Sequence, residues 1–228
     1  NHGGNFCWSN DSKSIIFFFF LHDDWEYEPA NSEIHEIDIA SGNIKTLTSR
    51  KGPDSSPQIS PAGKLIAYTG YDEQYLGYQQ SKLYVMNRDG SNPRQISGDF
   101  DRNINNIQWA TDGKGLFFQY DDEGNTKVAH MTLDGKVTDL TNNVGGLSLG
   151  RPYAGGQYSV ARNGNIAFTH STPDHPADLA VSNSKGMAAR RLTFVNDDLF
   201  SHKKLGEVEE VWYESSYDNA GVRINARD

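Results

Sequence analysis

One motif recurs four times along the chain, and its period limits the folds open to it. Each copy is a strand-like segment, a polar turn carrying Gly or Ser, and then an apolar strand. The turn anchors are Ser12, Gly63, Gly113 and Gly164, which lie 51, 50 and 51 residues apart. They precede the apolar runs Ile15–Phe18, Leu65–Tyr68, Leu116–Phe118 and Ile166–Phe168. Self-similarity at such a period is the mark of a repeat architecture, in which each unit covers the apolar face of its neighbour.

A second pattern follows each copy. Alternating segments run from Ile34, Leu83, Val128 and Leu179 to the turn glycines Gly42, Gly90, Gly135 and Gly186. Shortly after each glycine a short strand is expected to end in a hydroxyl residue, at Leu47-Thr48, Ile96-Ser97, Leu140-Thr141 and Leu192-Thr193. A unit of about 50 residues therefore holds four short strands, the content of one β-propeller blade. The expected fold is all-β, with four blades at about 6–56, 57–106, 107–155 and 156–204. Strands are expected near 6–9, 15–21, 34–39, 65–69, 83–87, 116–120, 128–132, 166–169 and 179–182. Trp8 and Trp109 recur at equivalent places, which predicts that both pack between neighbouring blades.

Composition narrows the function. The formal net charge is −9 and no Lys/Arg cluster interrupts it, so the electrostatic footprint of a nucleic-acid partner is missing. Cys7 is the one cysteine, which leaves no internal disulfide or thiolate zinc site. The apolar run Ile15–Leu21 is far shorter than the roughly 20 residues that span a bilayer. The opening Asn1-His2-Gly3 is expected of a fragment, with any targeting segment lying elsewhere.

The stretch Ser60-Pro61-Ala62-Gly63-Lys64-Leu65-Ile66-Ala67-Tyr68, with Leu83–Ser91 after it, resembles the blade motif shared by TolB-like propellers and the prolyl oligopeptidase family. Asp101-Arg102-Asn103-Ile104 leading to Trp109, the loop from Gly145-Gly146 to Arg151-Pro152-Tyr153, and the tail Leu205–Ser216 are similar to the acylaminoacyl-peptidase and dipeptidyl-peptidase branch of that family. The resemblance implies a seven- or eight-bladed ring whose last blade leads, through residues 205–228, into a C-terminal α/β-hydrolase domain. It implies a propeller that gates short peptide substrates and carries no catalytic residue, metal or cofactor. Four blades alone would leave blade edges open to self-association. The alternative is a TolB-like binding propeller with no enzymatic activity.

Several residues invite a chemical reading. Gly146-Leu147-Ser148-Leu149-Gly150 matches the G-x-S-x-G nucleophile elbow, and Asp174 and His202 follow in α/β-hydrolase order. An elbow needs a buried strand before the serine and a helix after it. Here a polar loop precedes Ser148 and Pro152 follows closely, so a connecting loop is expected, not a nucleophile. The histidines His2, His22, His35, His130, His170, His175 and His202 show no metal-binding pair on a helix, and surface or packing roles are expected; His170 and His175 flank Pro173 in an apparent loop. The acidic runs Asp121-Asp122-Glu123 and Asp197-Asp198 lack calcium-loop spacing and read as solvated turns. Glu26 and Glu28, in Asp23–Glu28, could hold an ammonium group as a pair. Their placement after the second strand of a blade favours a solvated hairpin loop.

Overall fold

A computed structural model describes residues 4–21, 23, 26–146, 155–183, 185, 186, 188–209, 211, 214–217 and 223–225. Four antiparallel sheets of four strands follow one another along the chain, each in simple meander order. The first holds β1 (Phe6–Trp8), β2 (Ser14–Phe19), β3 (Glu33–Asp38) and β4 (Ile44–Thr46). The second holds β5 (Asp54–Ile59), β6 (Leu65–Gly70), β7 (Lys82–Asn87) and β8 (Arg94–Gln95). The third holds β9 (Asn105–Trp109), β10 (Gly115–Asp122), β11 (Asn125–Thr132) and β12 (Val137–Thr141), and the fourth β13 (Tyr158–Val160), β14 (Ile166–Thr172), β15 (His175–Ser182) and β16 (Arg190–Arg191). A short helix α1 (Asp197–Phe200) and a pair β17 (Glu214–Tyr217) and β18 (Arg223–Asn225) complete the described elements. These are β-propeller blades on a period of about 50 residues.

The repeat has a backbone cause. Each anchor closes a tight turn in which the residue after the first strand donates to the start of the second: Ser9 N to Ser14 O, Ser60 N to Leu65 O and Ala110 N to Gly115 O, at 2.8, 2.9 and 2.9 Å. The anchors Ser12, Gly63, Gly113 and Gly164 all have positive φ, from 59° to 81°, which is where glycine carries no Cβ penalty. The hydroxyl signal has a cause as well. Thr48, Ser97 and Thr193 each lie just beyond the last strand of a sheet and accept the amide of the residue 14 positions earlier: Ile34 at 2.9 Å, Leu83 at 3.2 Å and Leu179 at 2.9 Å. The hydroxyl therefore extends the ladder by one bond after the backbone turns away.

The chain divides into two compact units. The first comprises Asn1–Tyr120, Ala129–Asp139 and Arg162–Gly164; the second comprises Asp121–Val128, Leu140–Ala161 and Asn165–Asp228. In the first unit Ile16, Ile34, Leu47, Ile66, Tyr68 and Met86 form one core, joining the first sheet to the second. Ala67, Leu83, Val85, Leu116, Phe118 and Met131 anchor another, joining the second sheet to the third. Polar ties repeat one blade on. Asn10 Nδ2 donates to Pro61 O at 2.7 Å and Thr111 Oγ1 to Arg162 O at 3.1 Å. Lys45 Nζ reaches Asp89 O at 2.8 Å, and Arg94 Nη1 reaches Leu133 O at 2.9 Å. Arg88 forks onto Glu36 and adds a bond to Ser14 at 2.9 Å. The second unit buries Phe168, Ile166, Ala180, Tyr158 and Val144.

Three expectations are corrected. Trp109 does pack between blades, its Nε1 donating to Gln58 O at 2.9 Å, but Trp8 is 52% exposed because no described sheet covers its face. His170 and His175 lie on β14 and β15, not in a loop, since those strands run on to a two-residue turn at Pro173-Asp174. The final strands β4, β8 and β16 stop before the hydroxyl residues expected to end them. Among the described residues no helix is long and apolar enough to cross a membrane.

Candidate functional site

Loop length distinguishes the blades. The connections 123–124 and 173–174 are two-residue turns, whereas those between β2 and β3 (20–32) and between β6 and β7 (71–81) are long. Long loops on a rigid sheet are where binding residues concentrate. Both carry acid and exposed aromatics: Glu26, Tyr27 and Glu28 on one, Asp72, Glu73, Tyr75 and Tyr78 on the other. Lys51 links them. Its Nζ lies 4.0 Å from Glu28 Oε1 and 5.0 Å from the Tyr75 ring centroid, and its carbonyl accepts Glu73 N at 3.0 Å. Glu28 also accepts Asn31 Nδ2 at 3.0 Å. A groove of about 400 Å³ runs along the second loop, lined by Tyr71, Asp72, Tyr78, Gln79 and Tyr84.

Beneath these loops sits a buried ionic group. Arg50 pairs with Asp54, whose side chain has no exposure, and lies 4.1 Å over the Tyr84 ring, which stacks on Tyr68 at 5.4 Å. Glu33 accepts the Thr48 hydroxyl nearby. Burial pushes the Glu33 carboxyl up to about 7, against the lowering effect of Thr48. Burial likewise pushes Asp54 up to about 6, with Arg50 opposing it. One guanidinium thus lies beside two buried carboxyls that repel each other and also reaches Asp72 at 3.5 Å. The Tyr68 hydroxyl is raised by the same burial and the same neighbouring charge.

The second unit holds a cleft of about 1270 Å³ lined by Pro173, Asp174, His175, Asp197, Phe200 and the segment 203–209. On its wall His175 Nε2 lies 3.1 Å from Asp197 Oδ1, and its Nδ1 lies 2.7 Å from Pro176 O. Asp178 is fully buried; Oδ1 accepts the Thr193 hydroxyl at 2.8 Å and Val195 N at 3.2 Å, and Oδ2 is 3.3 Å from Arg191 Nε. His175, Asp178 and Asp197 could together offer a cation three donor atoms within 4.8 Å of one another. Arg191 already spans both carboxylates, so the cluster is charge-compensated and ties the segment after β16 to β15.

The residues singled out by sequence separate in the fold. Ser148 lies outside the described residues, as do Arg151-Pro152-Tyr153, His2, His22, Asp24, Trp25 and Trp212. Asp174 caps the β14–β15 turn by accepting the Thr172 hydroxyl at 2.7 Å, which lowers its carboxyl. His202 is exposed beyond α1. His35 is buried between Thr46 Oγ1 and Phe19 O, and burial lowers its imidazole; His130 is lowered by the same cause. Asp121 accepts the Thr126 hydroxyl and Asp122 pairs with Lys127. Asp197 was expected to be a solvated turn, but it takes part in the Arg191 and His175 pairs. The Cys7 thiol is half-buried and raised by that burial. Sequence reasoning missed the Glu33/Arg50/Asp54 and His175/Asp178/Arg191 groups. A signal existed: Glu33 and Asp178 both stand one residue before the strand position whose amide meets Thr48 or Thr193.

Four such sheets define β-propeller blades, and relatives share them. No family model matches the chain. It is homologous to dipeptidyl-peptidase 5 of Porphyromonas gingivalis, with 27% identity over 215 residues, covering 93% of this chain and 30% of that protein. It is also similar to the Tol-Pal system protein TolB of Francisella tularensis, 32% identical over 83 residues, covering 35% of this chain and 16% of TolB. Among solved structures it resembles TolB from Acinetobacter baumannii, with TM-score 0.59, 20% identity, and 84% and 43% of the two chains covered. A puromycin hydrolase gives TM-score 0.61 at 16% identity, covering 84% and 31%. The chain thus spans under a third of the length of the dipeptidyl-peptidase it matches. The solved structures share its fold.

Proposed function

We propose that this chain is the non-catalytic, substrate-gating propeller portion of a serine peptidase acting on short peptides, of the acylaminoacyl- or dipeptidyl-peptidase type. Residues 1–204 are its blades, and 205–228 lead into a C-terminal α/β-hydrolase domain of the parent protein. The observation that carries this reading is the extent of similarity: it runs over 93% of the chain with a dipeptidyl-peptidase but over 35% with TolB. In this reading the nucleophile belongs to the hydrolase domain, and Ser148 has no part in the chemistry. The propeller acts by restricting access, admitting short or flexible peptides.

The test is to produce the chain alone and with its natural downstream sequence, and to assay both on dipeptidyl and acyl-aminoacyl p-nitroanilides. The extended protein is expected to hydrolyse one of these, the chain alone neither, and Ser148→Ala is expected to leave the extended activity unchanged. Activity of the chain alone that Ser148→Ala abolishes would overturn the reading. The second reading is a TolB-like protein-binding propeller, favoured by the higher local identity of the 83-residue match; an extended protein without hydrolytic activity supports it.

A further inference from the structure

The 71–81 loop between β6 and β7 holds no strand or helix, yet its backbone is pinned by side chains. Gln79 Oε1 accepts Gln74 N at 2.7 Å and Leu76 N at 3.3 Å. Glu73 accepts Tyr75 N, and Lys51 O accepts Glu73 N at 3.0 Å. At the other end Ser81 N donates to Asn103 Oδ1 at 2.8 Å. Tyr75 has φ +57°, a left-handed backbone that a bulky residue keeps only where its surroundings impose it. A loop ordered in this way loses little freedom when a ligand binds.

The groove along this loop, about 400 Å³, falls in the range of small-molecule sites, about 300–1,000 Å³. Its charged groups are already engaged within the protein. Asp72 lies 3.5 Å from Arg50, while Asp101 lies 3.5 Å from Arg102 and accepts Gln80 Nε2. Lys82 Nζ donates to Gln80 Oε1 at 2.6 Å and to Phe100 O at 2.7 Å. The consecutive amides of Glu73 to Leu76 are engaged as well, so this stretch offers no ladder to an extended peptide.

What the groove leaves open is of one chemical kind. Among the described residues the Tyr71 and Tyr78 phenols, the Gln74 amide and Gln79 Nε2 have no hydrogen-bond partner. Tyr78 is 85% exposed and Tyr71 half-buried, and among the described residues neither ring packs on another ring or a cation. Tyr84, which also lines the groove, differs, since Tyr68 and Arg50 already lie against its ring. The open surface thus joins bare aromatic faces to neutral groups that donate and accept. A sugar has the matching chemistry: a C–H face on the ring and a rim of hydroxyls that donate and accept in turn.

We propose that this groove binds a neutral oligosaccharide, its sugar rings laid against Tyr78 and Tyr71 and its hydroxyls bonded to Gln74 and Gln79. A charged ligand finds no unpaired countercharge among the groove's ionic groups, and a peptide finds no ladder in residues 73–76. The four binding residues lie on the single loop between β6 and β7, so the site needs neither end of the chain. It is also independent of the peptidase reading.

The experiment is saturation-transfer NMR on the full chain, titrated to millimolar concentration with maltotriose, cellotriose and triacetylchitotriose. Trigalacturonate and trialanine form the charged and peptide arms. At least one neutral trisaccharide is expected to bind, and Tyr78→Ala to weaken that binding at least about tenfold. Tyr27→Ala, equally exposed but outside the groove, is expected to leave it unchanged. Because the Tyr78 side chain is already in water, its variant should keep the parent's circular dichroism and melting temperature. Failure of all three neutral trisaccharides to bind would overturn the proposal, as would binding that survives Tyr78→Ala in full. So would trigalacturonate or trialanine binding as tightly as the best neutral sugar, since the occupant would then be an anion or a peptide.

Discussion

Replacing Asp54 by Asn should change how stability responds to pH, and the sign follows from the buried pair beneath the long loops. Asp54 has an ordinary carboxyl value of 3.8 when unfolded and is raised to about 6 in the fold, because burial outweighs Arg50. The native state therefore holds its proton where the unfolded chain has released it. Stability is greatest below the unfolded value and is lost as pH rises from about 4 through about 6. A gap of about 2 pH units corresponds to about 3 kcal/mol. Glu33, raised from 4.5 to about 7 and partly by Asp54 itself, adds loss of the same sign at slightly higher pH. Asn is uncharged, so Asp54→Asn removes the first contribution and relieves part of the second. Urea unfolding across this range, monitored by circular dichroism, measures it. The difference in unfolding free energy between parent and variant should shift by about 3 kcal/mol in the variant's favour from the acid end to neutrality. The slope carries the inference, because the variant also deprives Arg50 of its buried partner, leaving it Asp72 at 3.5 Å, and so lowers the overall level. A difference that is flat with pH, or that moves towards the parent, would refute the argument that burial dominates over the ion pair.

Two paired substitutions test the blade contacts. Trp109→Phe should cost about 1 kcal/mol or more through the lost bond to Gln58 O, while Trp8→Phe should be nearly neutral in the chain alone; equal costs by urea unfolding would contradict the assignment of faces. Gly90→Ala should destabilise by more than 2 kcal/mol, roughly the left-handed penalty plus the clash with Leu47 O, whereas Gly42→Ala, with φ +71° but open space around it, should cost only about 1 kcal/mol. A Gly42 variant as damaged as the Gly90 variant would count against the close approach of Gly90 to Leu47 O.

The parts of the fold legible in sequence were those set by local rules. Ser12, Gly63, Gly113 and Gly164 announced the turns because a positive φ has a strong residue preference, and the apolar second strands announced themselves by composition. The first strands β5 and β9 were expected ahead of their turns but given no bounds, and each carries a bulge, with Ser56 at φ 53° and Asn106 at φ 48° and a register shift beside it. That interruption, together with Pro57 in β5, destroys the alternation by which a strand is recognised. The ionic groups were illegible for another reason. Asp178 meets Arg191 across an antiparallel pair and Asp197 meets His175 from beyond the last strand, so neither contact exists until register is fixed. Trp8 was misjudged because equivalence to Trp109 in sequence carries equivalence of position, but not of what lies against it.

The central claim is that these blades serve a peptidase, and the most direct measurement is the reading frame downstream of Asp228. The account predicts an α/β-hydrolase sequence there, with a G-x-S-x-G serine between a buried strand and a helix and with Asp and His following in order. A frame that terminates just after Asp228, or continues without such an elbow, would contradict it and leave the binding propeller in its place.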